Sequence, residues 1–265
     1  MNDTQRLQHI AAFEMADGTR SLAEQLTETG AAAIYPALAT DTALAAQAAV
    51  TGGSLVAFAQ GVSRQNREDV MDSLLFATLV ANKAANPETQ SDHWYQQFNT
   101  VLATLGWVST HWRYARYGTA RQQFTMDQAG LEIIKSAIAA AALPGPAAFA
   151  LLKVAQDALT ALSANEEPLR LFERQTRTHR GGNFRIASCS ESGDGLVNLA
   201  MGAVAFRSEL NVTNVLFWEW NNSEVEIYRG ENNMTLNTRI YARHRAQIQD
   251  KLGSSAKSAI AEFDI

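Results

Sequence analysis

The side chain with the greatest capacity for covalent chemistry in this chain is that of its one cysteine, Cys189. It lies near the end of an apolar run from Phe184 that indicates a strand, and alternation places it on the face of Arg185 and opposite to Phe184. A free cysteine is most often a small buried hydrophobe. Two chemical roles stay open besides that one. The thiol could be a nucleophile beside His179 or His111, or it could carry a fatty chain as a thioester, which would need an apolar tunnel.

Most other catalytic and metal-binding signatures are missing. The chain contains no G-x-S-x-G, no G-x-x-x-x-G-K-[ST], no G-x-G-x-x-G and no H-E-x-x-H. No two of the histidines have the spacing of metal ligands, and no cysteine lies near one in a zinc pattern. They are His9, His93, His111, His179 and His244. We therefore expect no enzymatic activity, no metal and no cofactor, a covalent fatty acid aside.

Arginine residues concentrate in two stretches. Arg113 and Arg116 alternate with aromatic residues, and Arg174, Arg177 and Arg180 precede the Gly-Gly pair at 181–182. Interleaved arginine and aromatic side chains can contact lipid phosphates or stack on bases. The simpler alternative is solvent-facing strand residues. A net charge of −5 and a pI near 5.6 argue against nucleic acid, so a weak contact with membrane headgroups is the role we predict for these five arginines.

The segment Leu131–Leu162 predicts two alanine-rich helices joined at a Pro-Gly-Pro turn, 144–146. Pore-forming proteins store amphipathic hairpins of this kind and release them into lipid. Charged residues lie on both arms, among them Glu132 and Lys153, and either arm is of marginal length for a membrane span. A hairpin buried in the core fits the same pattern, so both interpretations stay open.

The elements that position these residues predict an α+β fold. Hydrophobic residues make up 46 % of the chain and charged residues 18 %, and 45 of the 265 residues are alanine, the best helix former. We expect an alanine-rich helical N-terminal half packed on a mainly antiparallel sheet of about 5–7 strands, with C-terminal helices. The regions, in one domain 1–265, are 1–106 mainly helical, 107–124 strands, 126–164 a helical hairpin, 168–230 strands and 235–263 helical.

Three assignments within these regions depend on local pattern alone. The stretch Thr40–Gln60 predicts a helix broken at Gly52-Gly53. Residues Leu169–Thr176 predict a strand, and Ser255–Phe263 predict a short final helix. Strand signals in both 107–124 and the C-terminal half indicate that the two parts share one sheet, which is why we expect one domain.

The order of these features resembles a known family. A helical first half leads into Trp94-Tyr-Gln-Gln-Phe98 and Leu105-Gly-Trp107, and the Pro-Gly-Pro hairpin and a strand-rich part with a lone cysteine follow. This layout resembles the Erwinia virulence factor family, Evf, which bacteria use to persist in or infect the insect gut. The resemblance implies an α/β fold of its own and palmitate carried on one cysteine. Only Cys189 is available for that role here, and no enzyme active site is implied.

The function that follows is a non-enzymatic bacterial virulence or insect-gut persistence factor acting at host membranes. Its expected partners are host membrane lipids and a fatty acyl chain on Cys189, with no nucleic acid and no metal. One alternative is a pore-forming insecticidal or cytolytic toxin, and a second is a cysteine-dependent acyl-transfer enzyme. The first residues show no signal-peptide pattern, so we expect synthesis in the cytoplasm, delivery to the host and membrane association there.

Overall fold

A computed structural model describes residues 1–16, 45–141, 143–209, 215–253 and 259–265. Within these ranges the chain forms an α+β fold, which confirms the predicted class. The helices are α1 (Asp3–Ala12), α2 (Arg64–Ala84), α3 (Ser91–Leu105), α4 (Met126–Ala140), α5 (Gly145–Ala164), α6 (Glu166–Thr176) and α7 (Thr238–Leu252). The strands are β1 (Gln47–Thr51), β2 (Ser54–Phe58), β3 (Trp107–Arg116), β4 (Gln123–Thr125), β5 (Gly181–Glu191), β6 (Val197–Ser208), β7 (Glu219–Asn221), β8 (Val225–Leu236) and β9 (Ile260–Asp264).

One seven-stranded sheet, in the order β3-β8-β6-β5-β2-β1-β9, forms the centre. Its neighbours are antiparallel except β2 and β5, which are parallel. Strand β3 pairs with β8, so the 107–124 region shares a sheet with the C-terminal half, as predicted. Strands β4 and β7 form a separate small ribbon.

Helices cover both faces of the sheet. Apolar side chains of α1, α2, α3 and α7 form one core with one face, and those of α4, α5 and α6 form a second core with the other. Strands buried on both faces are nearly continuous in apolar residues, and β5 and β6 show this pattern. Glycine lets α4 approach the sheet closely, because a Cβ on Gly202 would lie 2.8 Å from the backbone nitrogen of Ile134.

The predicted helix over Thr40–Gln60 is wrong from residue 47 onward. Residues 47–58 form the β1–β2 hairpin, and its turn is Gly52-Gly53, with φ of 53° and 73°. Paired glycines with positive φ are typical of a two-residue hairpin turn. The alanines that favoured helix instead line a strand buried on both faces. Residues 40–44, like the rest of 17–44, lie outside the described part of the chain.

Two further predictions are wrong. Residues Leu169–Thr176 belong to helix α6, which starts with two acidic residues and has Arg174 in its last turn, an arrangement that the helix dipole favours. Within the predicted helical region 235–263, β8 continues to Leu236 and residues 260–264 form strand β9 against β1. Backbone pairing with an existing edge decides the state of these last residues, and local sequence does not carry that information. Residues 254–258 lie outside the described ranges.

Candidate functional site

Cys189 lies on the central strand β5, fully buried, beside Phe58 on β2 and Leu199 on β6. Its backbone carbonyl accepts a hydrogen bond of 2.9 Å from the amide of Ala59. Cys189 belongs to the core formed with α1, α2, α3 and α7, whereas Phe184 belongs to the opposite core. The two faces predicted from alternation along the strand are therefore confirmed.

The environment of the Cys189 sulfur keeps it protonated. Burial raises the pKa of this thiol strongly, and nearby Glu191 raises it further, while the Arg67 guanidinium acts in the opposite direction. A cysteine nucleophile reacts as the thiolate and needs a lowered pKa. Neither His111 nor His179 is among the groups that act on the sulfur. In this folded state the geometry therefore does not provide an activated cysteine.

Arg67 on α2 borders the apolar surroundings of Cys189 on the side of β1. Its guanidinium donates to the carbonyl oxygens of Val62, at 2.9 Å, and Ala45, at 2.7 Å, and to the side-chain oxygen of Gln47. It also lies over the Phe58 ring, 5.7 Å from the centroid. These contacts satisfy a cation that is only 3 % exposed and fix the neighbourhood of Cys189.

Arg185 is a second buried cation on the same face of β5, and its position among the arginines of this stretch did not indicate that it is buried. Its Nε donates to the Ser54 hydroxyl at 2.9 Å, and its Nη2 donates to the carbonyl of Gly52. The guanidinium carbon lies 4.8 Å from the ring centre of Trp94 and 5.2 Å from that of Phe98. Burial lowers its pKa to about 9. Arg185 ties the β1–β2 turn to α3, which is a structural task.

The histidines do not form a site with one another. Across the described ranges, no group of three or more histidine, cysteine or acidic side chains is placed to hold a metal ion. His244 is buried on α7, and burial lowers its pKa. His111 lies 3.7 Å from the buried carboxylate of Glu231 and is 35 % exposed.

The five arginines predicted to contact headgroups are all exposed, but they do not form one patch. Arg116 lies on the α3 face of β3, where it pairs with Glu226 at 3.6 Å, and alternation puts Arg113 on the other face. Arg174 is in the last turn of α6, and Arg177 and Arg180 follow that helix. A common lipid-binding surface of all five is therefore not what the geometry favours.

Helices α4 and α5 form the predicted hairpin, and its two ends differ. The part nearest the sheet is buried: Ile134 of α4 and Leu151 of α5 belong to the second core, and the carbonyl of Leu151 accepts a hydrogen bond of 2.8 Å from Ser188. Helix α5 is, of the described helices, the one long and apolar enough to cross a membrane, and 33 % of that stretch is buried.

The distal end of the hairpin, which we call the hairpin tip (residues 139–141 and 143–150), presents apolar surface to solvent. Exposed positions here are alanine, glycine and proline together with Phe149, whose side chain is 69 % exposed. The sequence contains no charge between Lys135 and Lys153. The sequence pattern indicates the hairpin but does not separate its buried part from this uncharged tip.

A recess of about 420 Å³ lies on the α3 face, where the sheet extends beyond the start of that helix. Its floor comes from β3, β8 and β6, and its wall from the segment that leads into α3. Tyr114, Arg116, Arg207 and Tyr228 are on the floor, and Asp92 is on the wall. No local sequence pattern indicates this recess, because its residues come from four separate segments.

No protein-family model matches the chain, and neither does any curated protein. Among solved structures, the chain is similar to one described as "Structure of the Evf virulence factor", with a TM-score of 0.30 and 12 % identity over 78 % of this chain and 82 % of that chain.

Proposed function

We propose that this protein acts at lipid membranes without catalysing a reaction, and that the hairpin tip is the part that enters the lipid surface. The observation that carries the proposal is the exposed, uncharged tip with Phe149 at 69 % exposure. A contiguous apolar patch on a soluble protein commonly marks an interaction surface. The charges that border the tip favour lipid as its partner.

Two lysines mark how far the tip would enter. Lys135 lies five residues before the end of α4, and Lys153 lies eight residues after the beginning of α5. At a rise of 1.5 Å per residue these positions are about 8 Å and about 12 Å from the turn. Amphipathic helices enter the interface to a depth of about 5–10 Å, with basic residues at the headgroups. The two lysines therefore support shallow insertion rather than a span.

The same charges disfavour a pore built from this hairpin. Lys153 and Asp157 form an ion pair of 2.7 Å within α5, and moving such a pair into hydrocarbon is costly. Helix α4 has 15 residues, about 22 Å, which is short for a hydrocarbon core of about 30 Å. We therefore expect vesicle binding without dye release.

The test is flotation with vesicles of phosphatidylcholine and a minor fraction of phosphatidylserine. Burying the Phe149 ring contributes about 1.5–3 kcal/mol, so Phe149→Ser is expected to weaken binding about tenfold or more. Trp218→Ser is the matched control. Trp218 is 48 % exposed, and its neighbour Leu216 accepts a hydrogen bond from Asp127 at the opposite end of α4. Equal losses in both variants, or release of an entrapped dye, would overturn the proposal.

We further propose that Cys189 carries a long acyl chain as a thioester. The supporting observation is the complete burial of Cys189 in an extended apolar core. Because the folded thiol is inaccessible and protonated, the acyl group would have to be transferred to it from an activated acyl thioester before the sheet closes around it. The donor's thioester bond breaks as the new one forms, and the donor's thiol leaves with the proton of Cys189. Intact mass spectrometry before and after neutral hydroxylamine tests this. We expect one fatty acyl mass that hydroxylamine removes. The bare sequence mass in protein from the native source would contradict it.

The biological setting that we propose, a virulence or insect-gut persistence factor delivered to host membranes, rests on the sequence layout. A strain without the gene should persist less well in the insect gut. Complementation with the wild-type gene should restore persistence, and complementation with the Phe149→Ser gene should not. Full rescue by that variant would separate the biological role from the hairpin tip.

A further inference from the structure

The recess on the α3 face has the size of a small-molecule site. Its volume is about 420 Å³, within the range of about 300–1,000 Å³ usual for ligand pockets. Three adjacent strands supply the floor, so the groups on it are held by a continuous hydrogen-bonded ladder. The side chains that give it chemical character are two tyrosines, two arginines and the three carboxylates of Glu88, Asp92 and Glu226.

The tyrosines form a fixed aromatic floor. The rings of Tyr114 and Tyr228 are parallel within 3°, with centroids 6.0 Å apart. The Tyr114 hydroxyl donates to the Ser91 hydroxyl oxygen at 2.7 Å, and the Tyr228 hydroxyl donates to Glu226 at 3.2 Å. Both rings are thus held at their polar ends. Aromatic rings attract weakly hydrated cations such as quaternary ammonium groups.

Two charged side chains of opposite sign line the recess together with Tyr114. Asp92, on the first turn of α3, and Arg207, on β6, are both close enough to influence the pKa of the Tyr114 hydroxyl, in opposite directions. In the part of the chain that the structure describes, neither makes an ion pair. Arg207 is fixed by its Nε, which donates to the backbone carbonyl of Glu88 at 2.6 Å. Arg116, in contrast, is already paired with Glu226.

A ligand that satisfies both groups must carry both charges. We propose that the recess binds a phosphocholine-type zwitterion, with its quaternary ammonium on Tyr114 and Tyr228 beside Asp92 and its phosphate on Arg207. The guanidinium offers paired donors to phosphate oxygens. Free phosphocholine and the headgroup of a phosphatidylcholine membrane share this chemistry.

The recess lies away from the hairpin tip. In the β6–β8 ladder, Arg207 lies opposite Glu226, near one end of both strands. The far end of α4 contacts β8 toward its other end, where Asn233 donates to the carbonyl of Ala137. A ligand in the recess is therefore separate from the lipid that the tip would enter, and the inference does not depend on the proposed function.

Calorimetric titration with phosphocholine, choline alone and inorganic phosphate alone tests the assignment. We expect phosphocholine to bind at least tenfold more tightly than either half. Tyr228→Leu and Arg207→Gln should each weaken it about tenfold, while Tyr228→Phe, which keeps the ring, should bind as the wild type does. No saturable binding of phosphocholine, or affinities unchanged in Tyr228→Leu and Arg207→Gln variants that melt like the wild type, would overturn it.

A second arm separates the two sources of the ligand and keeps the test independent of variant folding. In the wild-type protein, shifts of the Tyr114 and Tyr228 ring resonances on adding phosphocholine should saturate together. If the natural source is a membrane, phosphatidylcholine vesicles should compete for the site in Phe149→Ser protein. Competition by free phosphocholine alone assigns a soluble ligand. Resonances of these rings that do not move at all contradict the site.

Discussion

The two helical layers of this protein bury charge to different extents, and the hairpin layer ends in an exposed apolar tip. Between the sheet and the layer of α1, α2, α3 and α7, Asp69, Arg67 and Arg185 are at most 3 % exposed, and each is held by direct hydrogen bonds. On the hairpin side, the buried carboxylate of Glu231 accepts a hydrogen bond from Ser136 of α4. The hairpin layer exposes apolar surface at its tip. Buried charge is costly unless it is paired or hydrogen-bonded, and exposed apolar surface is unfavourable in water. The first layer therefore stabilises the fold, and the second is free to contact a partner.

The largest expected effect concerns Arg185. Arg185→Met removes the donors to Ser54 and Gly52 and leaves buried acceptors unsatisfied, so we expect a loss of about 3–5 kcal/mol in the free energy of unfolding. Urea denaturation measures it. Arg170→Met, on the exposed surface of α6, is the control and should change stability by less than about 0.5 kcal/mol. If Arg185→Met lowers the free energy of unfolding by less than about 1 kcal/mol, the packing of α1, α2, α3 and α7 on the sheet does not depend on this cation.

Asp72 on α2 makes the stability of the layer formed by α1, α2, α3 and α7 depend on pH. Burial raises its pKa to about 6, and Asp69 and Glu68 add to the rise. The folded state holds this proton more tightly than the unfolded state, so its favourable contribution is complete below about pH 4 and is lost as pH rises through about 6. Asp72→Asn should therefore raise the free energy of unfolding at pH 7.5 by about 2–3 kcal/mol, and the melting temperature with it, and have little effect at pH 4. A gain of equal size at both pH values would contradict this.

Cys189→Ser tests the apolar surroundings of the thiol in protein without an acyl chain. The serine hydroxyl would be buried among apolar groups, and the expected cost is about 1–2 kcal/mol. Ser190→Ala, at the next position on the less buried part of the same strand, should cost less. If the protein carries an acyl chain in its core, loss of that chain adds to the effect. The free energy of unfolding then falls by well over about 2 kcal/mol, and the melting temperature falls with it.

The smallest effect on stability is expected at the hairpin tip. Phe149→Ser removes a ring that is largely in water, so stability should change by less than about 0.5 kcal/mol, although membrane binding falls. Thermal unfolding monitored by circular dichroism measures it. A fall of several degrees would mean that another part of the chain covers the ring, and the two layers would then not differ in the way described above.

Sequence reasoning identified the features that depend on local pattern. Alternation in β5 placed Cys189 on the correct face, and Pro-Gly-Pro located the hairpin turn. For Thr40–Gln60 the sequence pattern wrongly predicted a helix, because alanine favours helix locally. Only pairing with β9 and β2 makes residues 47–51 a strand. Arg185 could not be recognised as buried, since its acceptors are more than 100 residues away in the sequence.

The candidate sites divide in the same manner. The exposed tip is contiguous in sequence, and its lack of charge is visible there. The recess joins residues from 87 to 228, and only the register of β3, β8 and β6 brings Tyr114, Tyr228 and Arg207 together.

The central claim is that the tip enters a lipid surface, and a fluorophore at position 149 tests it most directly. In Phe149→Cys protein the new thiol is exposed while Cys189 is buried, so an environment-sensitive dye labels the tip alone. With vesicles we predict a blue shift and quenching by lipids that carry a shallow nitroxide, and neither change for the dye in Trp218→Cys protein. A dye at position 149 that stays in water while the protein floats with the vesicles would contradict the account.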